Sequence, residues 1–396
     1  MPTTITFFPV DNGDMTLVKF GETDATTLLI DVNIRLDADD PDADARDVVK
    51  DLRDRLKKDV NGRPYVDAFL LSHPDEDHCR GLTRHFHLGP LSEYPDDKKE
   101  YKDKKIVIRE IWSSPIVFRR ASKSHTLCDD AKAFNSEARR RVQVNRDKNF
   151  SAGDGDRILV MGEDIDGKTD DLGPILKKVD ESFSTINGKQ SSFFSAYLLA
   201  PLDAKDDEEE EECLRKNQSS VIMNITLAAD AQTPDGAKFL TGGDAEVFIW
   251  NRQWQRHKAE PEVLEYDLLQ TPHHCSWRSL SNDSWSKQGE KAKVDADARS
   301  ALSQTRDGAV IVASCKPIAD DDNDPPCIRA KREYLAIVDD KASRFYCTGE
   351  YPDPKAVEPL VFTVTSQGVQ PPSKKESGSK AAAVITSART PMPHGC

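Results

Sequence analysis

The stretch Val66-Asp67-Ala68-Phe69-Leu70-Leu71-Ser72-His73-Pro74-Asp75-Glu76-Asp77-His78 decides how the chain is interpreted. Its apolar first half predicts a buried strand that ends at Ser72. Five of the six residues that follow carry side chains able to bind a metal, a proton or a charge. Histidine and carboxylate together suit divalent ions such as Zn, Mn or Fe. The stretch therefore predicts a metal-binding turn at a strand end. The alternative is a turn in which Asp75 or Asp77 caps the following helix.

Two later segments place further ligand-type side chains directly after predicted strands. Thr241-Gly242-Gly243-Asp244-Ala245-Glu246 follows one strand and starts a helix, and Thr271-Pro272-His273-His274-Cys275-Ser276 follows another. Taken singly, Asp244 is explained as an ordinary carboxylate at a helix N-terminus, and His273 with His274 as a structural pair. In α/β sheets, however, the loops at the carboxyl ends of strands converge to build sites. We therefore expect the three segments to meet.

The overall composition limits the class of protein. The chain has 396 residues, of which 37% are hydrophobic, and this fits one large α/β domain with polar insertions. The formal net charge of −14 opposes loose, sequence-independent binding to nucleic acid. No apolar run has the length of a membrane span, and the first residues lack the pattern of a secretory signal. The eight cysteines form no CxxC pair, so we expect reduced thiols and a cytoplasmic protein.

The hydrophobic pattern predicts an order of elements. The first 80 residues are expected to form three strands, a helix and a fourth strand that runs into the metal turn. Further strands and helices follow, in an order that suits sheets covered by helices. The acidic run 203–212 is expected to be a solvated loop, and residues 369–396, rich in Pro, Ser, Lys and Ala, a disordered tail.

Residues 72–78 resemble the signature of metallo-β-lactamase-fold proteins, His-x-His-x-Asp-His, with Asp75 in place of the second histidine. They are more similar to the soluble metallohydrolase domain of ComEC-type DNA-uptake (competence) proteins, which carry His-x-Asp-x-Asp-His. Five further segments resemble that domain in the same order along the chain, namely 10–14, 29–31, 217–221, 239–246 and 273–279. In the last of these segments, Cys275 replaces a glycine of the family pattern.

The resemblance implies an α/β fold, namely a metallo-β-lactamase-like four-layer αβ/βα sandwich with polar insertions. The hydrolase domain would span residues 1–368 and be followed by the tail 369–396. Insertions would lie at roughly 84–104, 115–155 and 162–215. A dinuclear metal centre would lie at one edge of the two sheets.

The resemblance also implies ligands for two divalent ions, Zn or Mn. His73 and Asp75 would hold the first ion. Asp77 and His78 would hold the second. Because Asp75 adds a hard oxygen ligand where zinc lactamases have a histidine, Mn becomes as suitable as Zn. Cys79, which follows His78, is interpreted as a packing residue, with a metal or redox role as the alternative.

The remaining ligands would come from the two later segments. Asp244 would bridge both ions, and His274 would complete the second site, with His273 as the alternative. Cys275 beside them is interpreted as a packing residue. Most members of the fold place one more histidine ligand between the first turn and the bridging aspartate. The candidates in this chain, none in a matching turn, are His85, His87 and His125.

The expected activity is hydrolysis by metal-activated water, with Asp77 both binding metal and accepting a proton from the nucleophile. The favoured substrate is a phosphodiester in DNA, RNA or a nucleotide, as the resemblance implies. Basic residues within 119–123 and 139–148 agree with it. One alternative is hydrolysis of a small ester, amide or thioester, which suits the negative net charge. Another is a degenerate module that binds a partner protein.

The chain has no counterpart of the pore of the uptake proteins. We therefore expect a freestanding nuclease or an effector in a bacterial defence system, with partner proteins encoded in the same operon. The motivation is the isolation of the domain together with its nuclease-like resemblance.

Overall fold

The computed structural model describes residues 2–40, 42–119, 126–202, 216–339 and 344–372 of the chain. The acidic run 203–212, His125 and residues 373–396 of the predicted tail lie outside these ranges. Among the described residues, no helix combines the length and the apolar character that a membrane crossing needs.

Within the described residues, the chain forms twenty strands and nine α-helices, joined in places by short 3-10 turns. The strands are β1 Thr4–Phe7, β2 Thr16–Lys19, β3 Thr27–Ile30, β4 Lys57–Lys58, β5 Pro64–Leu70, β6 Phe86–His87, β7 Ile106–Ser113, β8 Arg157–Met161, β9 Leu176–Lys177, β10 Ser182–Phe183, β11 Thr185–Ile186, β12 Lys189–Gln190, β13 Phe194–Ala200, β14 Ile222–Leu227, β15 Ala237–Leu240, β16 Tyr266–Gln270, β17 Thr305–Ala313, β18 Phe345–Cys347, β19 Leu360–Thr365 and β20 Gly368–Gln370. The helices are Val48–Arg53, Glu76–Cys79, Leu82–His85, Pro115–Arg119, Asp129–Asp147, Val247–His257, Trp285–Gln288, Ala296–Leu302 and Ile328–Ile337.

Two large sheets hold most of the strands. In the described chain, the first sheet has the order β20-β19-β1-β2-β3-β5-β7-β8-β9, with β4 beside β5 and β6 beside β7. The second has the order β10-β13-β14-β15-β16-β17-β18. Strands β3, β5, β7, β8 and β9 run parallel, as do β15 to β18, whereas the remaining neighbours on these two paths are antiparallel.

Apolar side chains pack against both faces of each sheet. Leu28 of β3 and Leu268 of β16 lie in one cluster with residues of both sheets. The next residue in each strand points to the opposite face. Leu29 thus packs in a cluster with residues of the helices Val48–Arg53 and Asp129–Asp147, and Leu269 packs in a third cluster with other helix residues. Burial on both faces explains why these strands are continuously apolar, and the protein is a mixed α/β sandwich.

Two elements differ from the sequence predictions. Strand β13 lies inside 162–215, which was expected to be a polar insertion. Its apolar residues face the core and alternate with less buried ones, as in a strand that has one face in the core. Strand β20 includes two residues of the predicted tail and pairs with β19, so the ordered sheet extends past residue 368.

Candidate metal centre

The first ligand turn begins where β5 ends. Because β3 and β5 are parallel, with Leu28 opposite Ala68, their carboxyl ends lie side by side. The turn leads into the helix Glu76–Cys79, which carries Asp77 and His78. Asp75 occupies the N-cap position of this helix, but its side chain makes no capping hydrogen bond. Capping by Asp75 therefore does not account for this turn.

Asp31, the residue after β3, fixes the orientation of His78. Its carboxylate accepts hydrogen bonds from the backbone N–H of Ser72 at 2.7 Å and from the Ser72 hydroxyl at 2.5 Å. The same carboxylate lies 2.8 Å from Nδ1 of His78. Nε2 of His78 is thereby directed towards Asp244, 3.1 Å away. A carboxylate behind a histidine is the usual outer support of a metal-binding imidazole.

Asp244 lies at the centre of the cluster and presents each oxygen to a different pair of histidines. Oδ1 lies 3.1 Å from Nε2 of His78 and 3.4 Å from Nε2 of His274. Oδ2 lies 3.4 Å from Nε2 of His73 and 3.7 Å from Nε2 of His273. Asp244 is buried.

The turn after β16 directs both of its histidines towards Asp244. His273, His274 and Cys275 all have left-handed backbones, with φ of 50°, 51° and 65°. Neighbouring side chains in a strand point to opposite faces, whereas here both imidazoles face one carboxylate. Nδ1 of His274 lies 3.2 Å from the carbonyl oxygen of Ser314, which leaves Nε2 for the centre.

Asp14 is a member of the cluster that the sequence analysis missed. It follows the hairpin turn between β1 and β2, and its backbone N–H donates to the carbonyl of Asp77 at 3.2 Å. Gly13 permits this approach, because a Cβ there would lie 2.7 Å from the same carbonyl oxygen. Asp14, His78, Asp244 and His274 each offer a ligand atom within 4.8 Å of the others. The one available signal was the Gly-Asp pair that the early turn shares with the ComEC-type domain.

The charges of the cluster stabilise one another. Burial raises the pKa of Asp244, but the imidazoles of His274, His78 and His73 outweigh burial and hold it well below its usual range. Burial lowers the pKa of His78 and of His274, yet Asp244 and the other nearby carboxylates raise both well above the usual value. Burial also raises the pKa of Asp77, but the hydrogen bond from His274 and the charge of His78 give a net lowering.

Several polar atoms of the cluster are buried without a hydrogen-bond partner, namely Oδ1 of Asp14, Nε2 of His73 and Oδ1 of Asp244. Buried polar atoms are nearly always satisfied, so unsatisfied ones that converge need an explanation. Imidazole nitrogens and carboxylate oxygens are suitable ligands for Zn and Mn. The residues present therefore fit a divalent metal ion, and the cluster is a candidate metal-binding site.

The structure brings together all seven ligands that the sequence analysis named. Asp77 lies beside His274, with Oδ2 3.3 Å from Nε2. Asp75 lies beside His73, with Oδ2 3.8 Å from Nε2. His273 and His274, the two alternatives of the prediction, both approach Asp244. The other histidines considered lie elsewhere, since His85 contacts Asp39 and His87 contacts the carbonyl of Pro90, while His125 is outside the described residues.

The basic residues of 139–148 are engaged within the protein. Arg141 is buried and bonds Glu137 at 2.7 Å, and Arg140 bonds the same carboxylate. Arg146 and Lys148 likewise pair with nearby carboxylates. Within the described residues, these pairs show that the basic side chains of this run have carboxylate partners in the protein itself. The side chains of Arg119, Arg120 and Lys123 lie outside the described part of the chain.

The chain matches no protein-family model, and no curated protein matches it significantly. Among solved structures, it is similar to Igni18, a novel metallo hydrolase from the hyperthermophilic archaeon Ignicoccus hospitalis KIN4/I. The similarity covers 91% of this chain and 98% of that one, at 12% sequence identity and a TM-score of 0.33.

Proposed function

We propose that the protein is a hydrolase that uses two divalent metal ions, Zn or Mn, in a metallo-β-lactamase-like four-layer αβ/βα sandwich. The observation that carries this proposal is the position of Asp244. Its two oxygens face two separate pairs of histidines, which is the arrangement required of a carboxylate that bridges two ions.

The proposed ligands divide into two halves. In the first half, His73 and His273 face Oδ2 of Asp244, and Asp75 lies beside His73. In the second half, His78 and His274 face Oδ1 of Asp244, and Asp14 and Asp77 lie beside His274. Paired divalent ions supply Lewis acidity, which acidifies water and stabilises the negative charge that develops on the attacked group.

Asp77 is the proposed partner of the attacking nucleophile. Its side chain is 32% exposed, whereas Asp244 and His274 are almost completely enclosed. Its lowered pKa keeps the carboxylate ionised at neutral pH, so it can accept a hydrogen bond from the nucleophile and orient it. The proton would then pass to solvent, because a carboxylate with a lowered pKa does not retain it.

The proposed substrate is a phosphodiester in a nucleotide or nucleic acid. The similarity of the ligand turns to those of ComEC-type domains supports this choice. The net charge of −14 and the internal pairing of Arg140 and Arg141 favour a small substrate over a long nucleic-acid track. The second candidate, hydrolysis of a small ester, amide or thioester, rests on the same two observations.

One assay panel tests the proposal. The purified chain, loaded with Mn or Zn, is offered plasmid DNA, single-stranded DNA, RNA, bis-p-nitrophenyl phosphate and p-nitrophenyl acetate. We expect turnover of at least one phosphodiester, absent in Asp244→Asn and retained in Asp235→Asn, which changes an exposed turn. Turnover of the acetate alone would favour the small-substrate alternative. If the chain binds less than one ion and its metal content does not change in Asp244→Asn, the enzyme proposal is refuted, and the partner-binding module is the remaining alternative.

A further inference from the structure

Two cysteines lie side by side immediately next to the candidate metal centre. Cys79 follows His78 at the end of the helix Glu76–Cys79, and its Sγ lies 3.5 Å from Sγ of Cys128. Cys79 is completely buried, whereas Cys128 is partly exposed. The pair thus joins an enclosed thiol on the metal turn to one that solvent can reach.

Cys128 is the N-cap residue of the long helix Asp129–Asp147. Its Sγ accepts a hydrogen bond from the N–H of Ala131 at 3.4 Å. Asp130, the second residue of this helix, accepts hydrogen bonds from the N–H groups of Gly81 and Thr83, both at 2.8 Å. The start of this helix is therefore tied to the chain directly after the metal turn, so displacement of one is transmitted to the other.

The surroundings of Cys128 favour its thiolate. The S–H of Cys79 and the N–H of Ala131 stabilise negative charge on the sulfur and outweigh partial burial, which lowers the pKa of Cys128 to about 7. A substantial fraction is then deprotonated at neutral pH, and the thiolate is the reactive form of cysteine.

We propose that Cys79 and Cys128 form a hydroperoxide-sensitive pair that closes into a disulfide and disturbs the metal turn. The Cys128 sulfur attacks one peroxide oxygen, the O–O bond breaks, and a sulfenic acid and one water are formed. The Cys79 sulfur then attacks the sulfenic sulfur, the S–S bond forms, and a second water leaves. Two thiols are oxidised by two electrons, and hydrogen peroxide is reduced to two waters.

Closure requires movement close to the metal ligands. A disulfide has an S–S distance of about 2.05 Å, so the two sulfurs must approach by roughly 1.4 Å from their separation of 3.5 Å. Sγ of Cys79 also lies 3.3 Å from the backbone carbonyl oxygen of Asp75, which is an alternative acceptor for its single S–H, and disulfide formation removes that proton. Metal–ligand distances tolerate only about 0.2 Å of deviation, so the shift is expected to weaken metal binding by His78 and Asp77.

A second cysteine pair provides a matched control. Sγ of Cys315 lies 3.6 Å from Sγ of Cys347, almost the same separation. Both residues are buried, and burial raises the pKa of Cys315 well above its usual value. This pair lacks a member that solvent can reach, so peroxide is expected to leave it reduced.

The test exposes the full chain, with and without bound metal, to increasing hydrogen peroxide. Peptide mass spectrometry under non-reducing conditions maps disulfides, and competition with a chromogenic chelator measures metal affinity. We expect a Cys79–Cys128 disulfide and a loss of affinity of about tenfold or more, since disturbing even an outer support usually costs 10–100-fold. Thiol reductant should reverse both changes.

Variants make the outcome decisive. Cys128→Ser retains a favourable N-cap residue, and it should keep its metal affinity in peroxide, whereas Cys347→Ser should respond as the unchanged chain does. Absence of the Cys79–Cys128 disulfide would overturn the proposal, as would a disulfide that leaves affinity unchanged. The metal effect rests on the proposed function, but disulfide mapping does not. A chain that never binds metal would therefore refute the proposed function separately.

Discussion

The two halves of the candidate metal centre are supported differently. In the half formed by His78 and His274, both imidazoles are buried, and each has a partner behind it at Nδ1. These partners are the carboxylate of Asp31 at 2.8 Å and the carbonyl of Ser314 at 3.2 Å. Their Nε2 atoms lie 3.1 and 3.4 Å from Asp244.

The half formed by His73 and His273 is looser. Nδ1 of His73 lies 3.2 Å from the hydroxyl of Ser72, and Nδ1 of His273 lies 3.6 Å from the Glu246 carboxylate, beyond hydrogen-bonding distance. Nε2 of these residues lies 3.4 and 3.7 Å from Asp244, and the His273 side chain is 13% exposed. Ligands whose orientation is fixed before binding lose less entropy on binding. We therefore expect the half formed by His78 and His274 to hold its ion tightly, and the half formed by His73 and His273 to exchange its ion readily.

The largest expected effect is that of Asp244→Asn, which removes the carboxylate shared by both halves. The variant should lose both ions and all hydrolytic turnover, because each half loses its central oxygen ligand. Metal content per chain, measured by plasma mass spectrometry after dialysis, checks this. Asp235→Asn in an exposed turn is the control, and retention of two ions by Asp244→Asn would contradict the bridging role.

A comparison of His274→Ala with His273→Ala should separate the halves. His274→Ala should lose the tightly held ion. His273→Ala should keep one ion per chain after mild chelation, because the half formed by His78 and His274 is intact. Isothermal titration with Mn or Zn gives the stoichiometry and both affinities. His257→Ala alters a buried histidine of the helix Val247–His257 and should bind like the unchanged chain. Equal losses in the two test variants would mean that the halves do not differ.

A smaller effect is expected for Asp31→Asn, which weakens the support behind His78. Asn tolerates the left-handed backbone of this position, where φ is 54°, so the turn should be kept. Affinity for the tighter ion should fall about 10–100-fold, the usual cost of removing such a partner. The weaker ion should be unaffected. Asp67→Asn, a buried carboxylate of β5 that contacts none of the ligands, is the control for general destabilisation.

The smallest expected effect is the dependence of metal affinity on pH. The raised pKa values of His78 and His274 mean that the metal-free protein holds protons there at neutral pH. Metal must displace these protons, so affinity for the tighter ion should rise with pH. The same shifts stabilise the metal-free fold below the unfolded histidine pKa of about 6.5, and this contribution is lost as pH rises through the folded values.

Titration calorimetry in buffers of different ionisation enthalpy measures the protons released. Release should diminish in His274→Ala and persist in His273→Ala. Binding without proton release between pH 6 and 8 would show that both imidazoles are already neutral before metal arrives.

Local patterns in the sequence predicted much of the fold. Strand β5 and its ligand turn lie in one continuous stretch, so the apolar run and the histidine–aspartate cluster could be recognised together. Strand β13 was not predicted, although Ser195 and Tyr197 alternate with its core residues as in other strands, because it lies in a range that is polar for most of its length.

The site was less predictable where it depends on contacts between distant segments. Asp14 reaches the cluster through the packing of the β1–β2 hairpin against Asp77, and the Gly13-Asp14 pair alone does not predict that contact. The sequence analysis favoured His274 and kept His273 as the alternative. The left-handed turn that brings both imidazoles to Asp244 is not encoded in the sequence pattern in a recognisable form.

That turn has a consequence for how metal exchanges. A left-handed backbone costs a residue other than glycine roughly 1–2 kcal/mol, and three successive residues adopt it here. This cost is met when the domain folds, since β16 and the contact of His273 with Gly243 hold the turn in place. The turn therefore has the same conformation before an ion binds and after it dissociates. The lifetime of a bound ion should then depend on how fast its individual ligand bonds dissociate, since no refolding of the chain is needed.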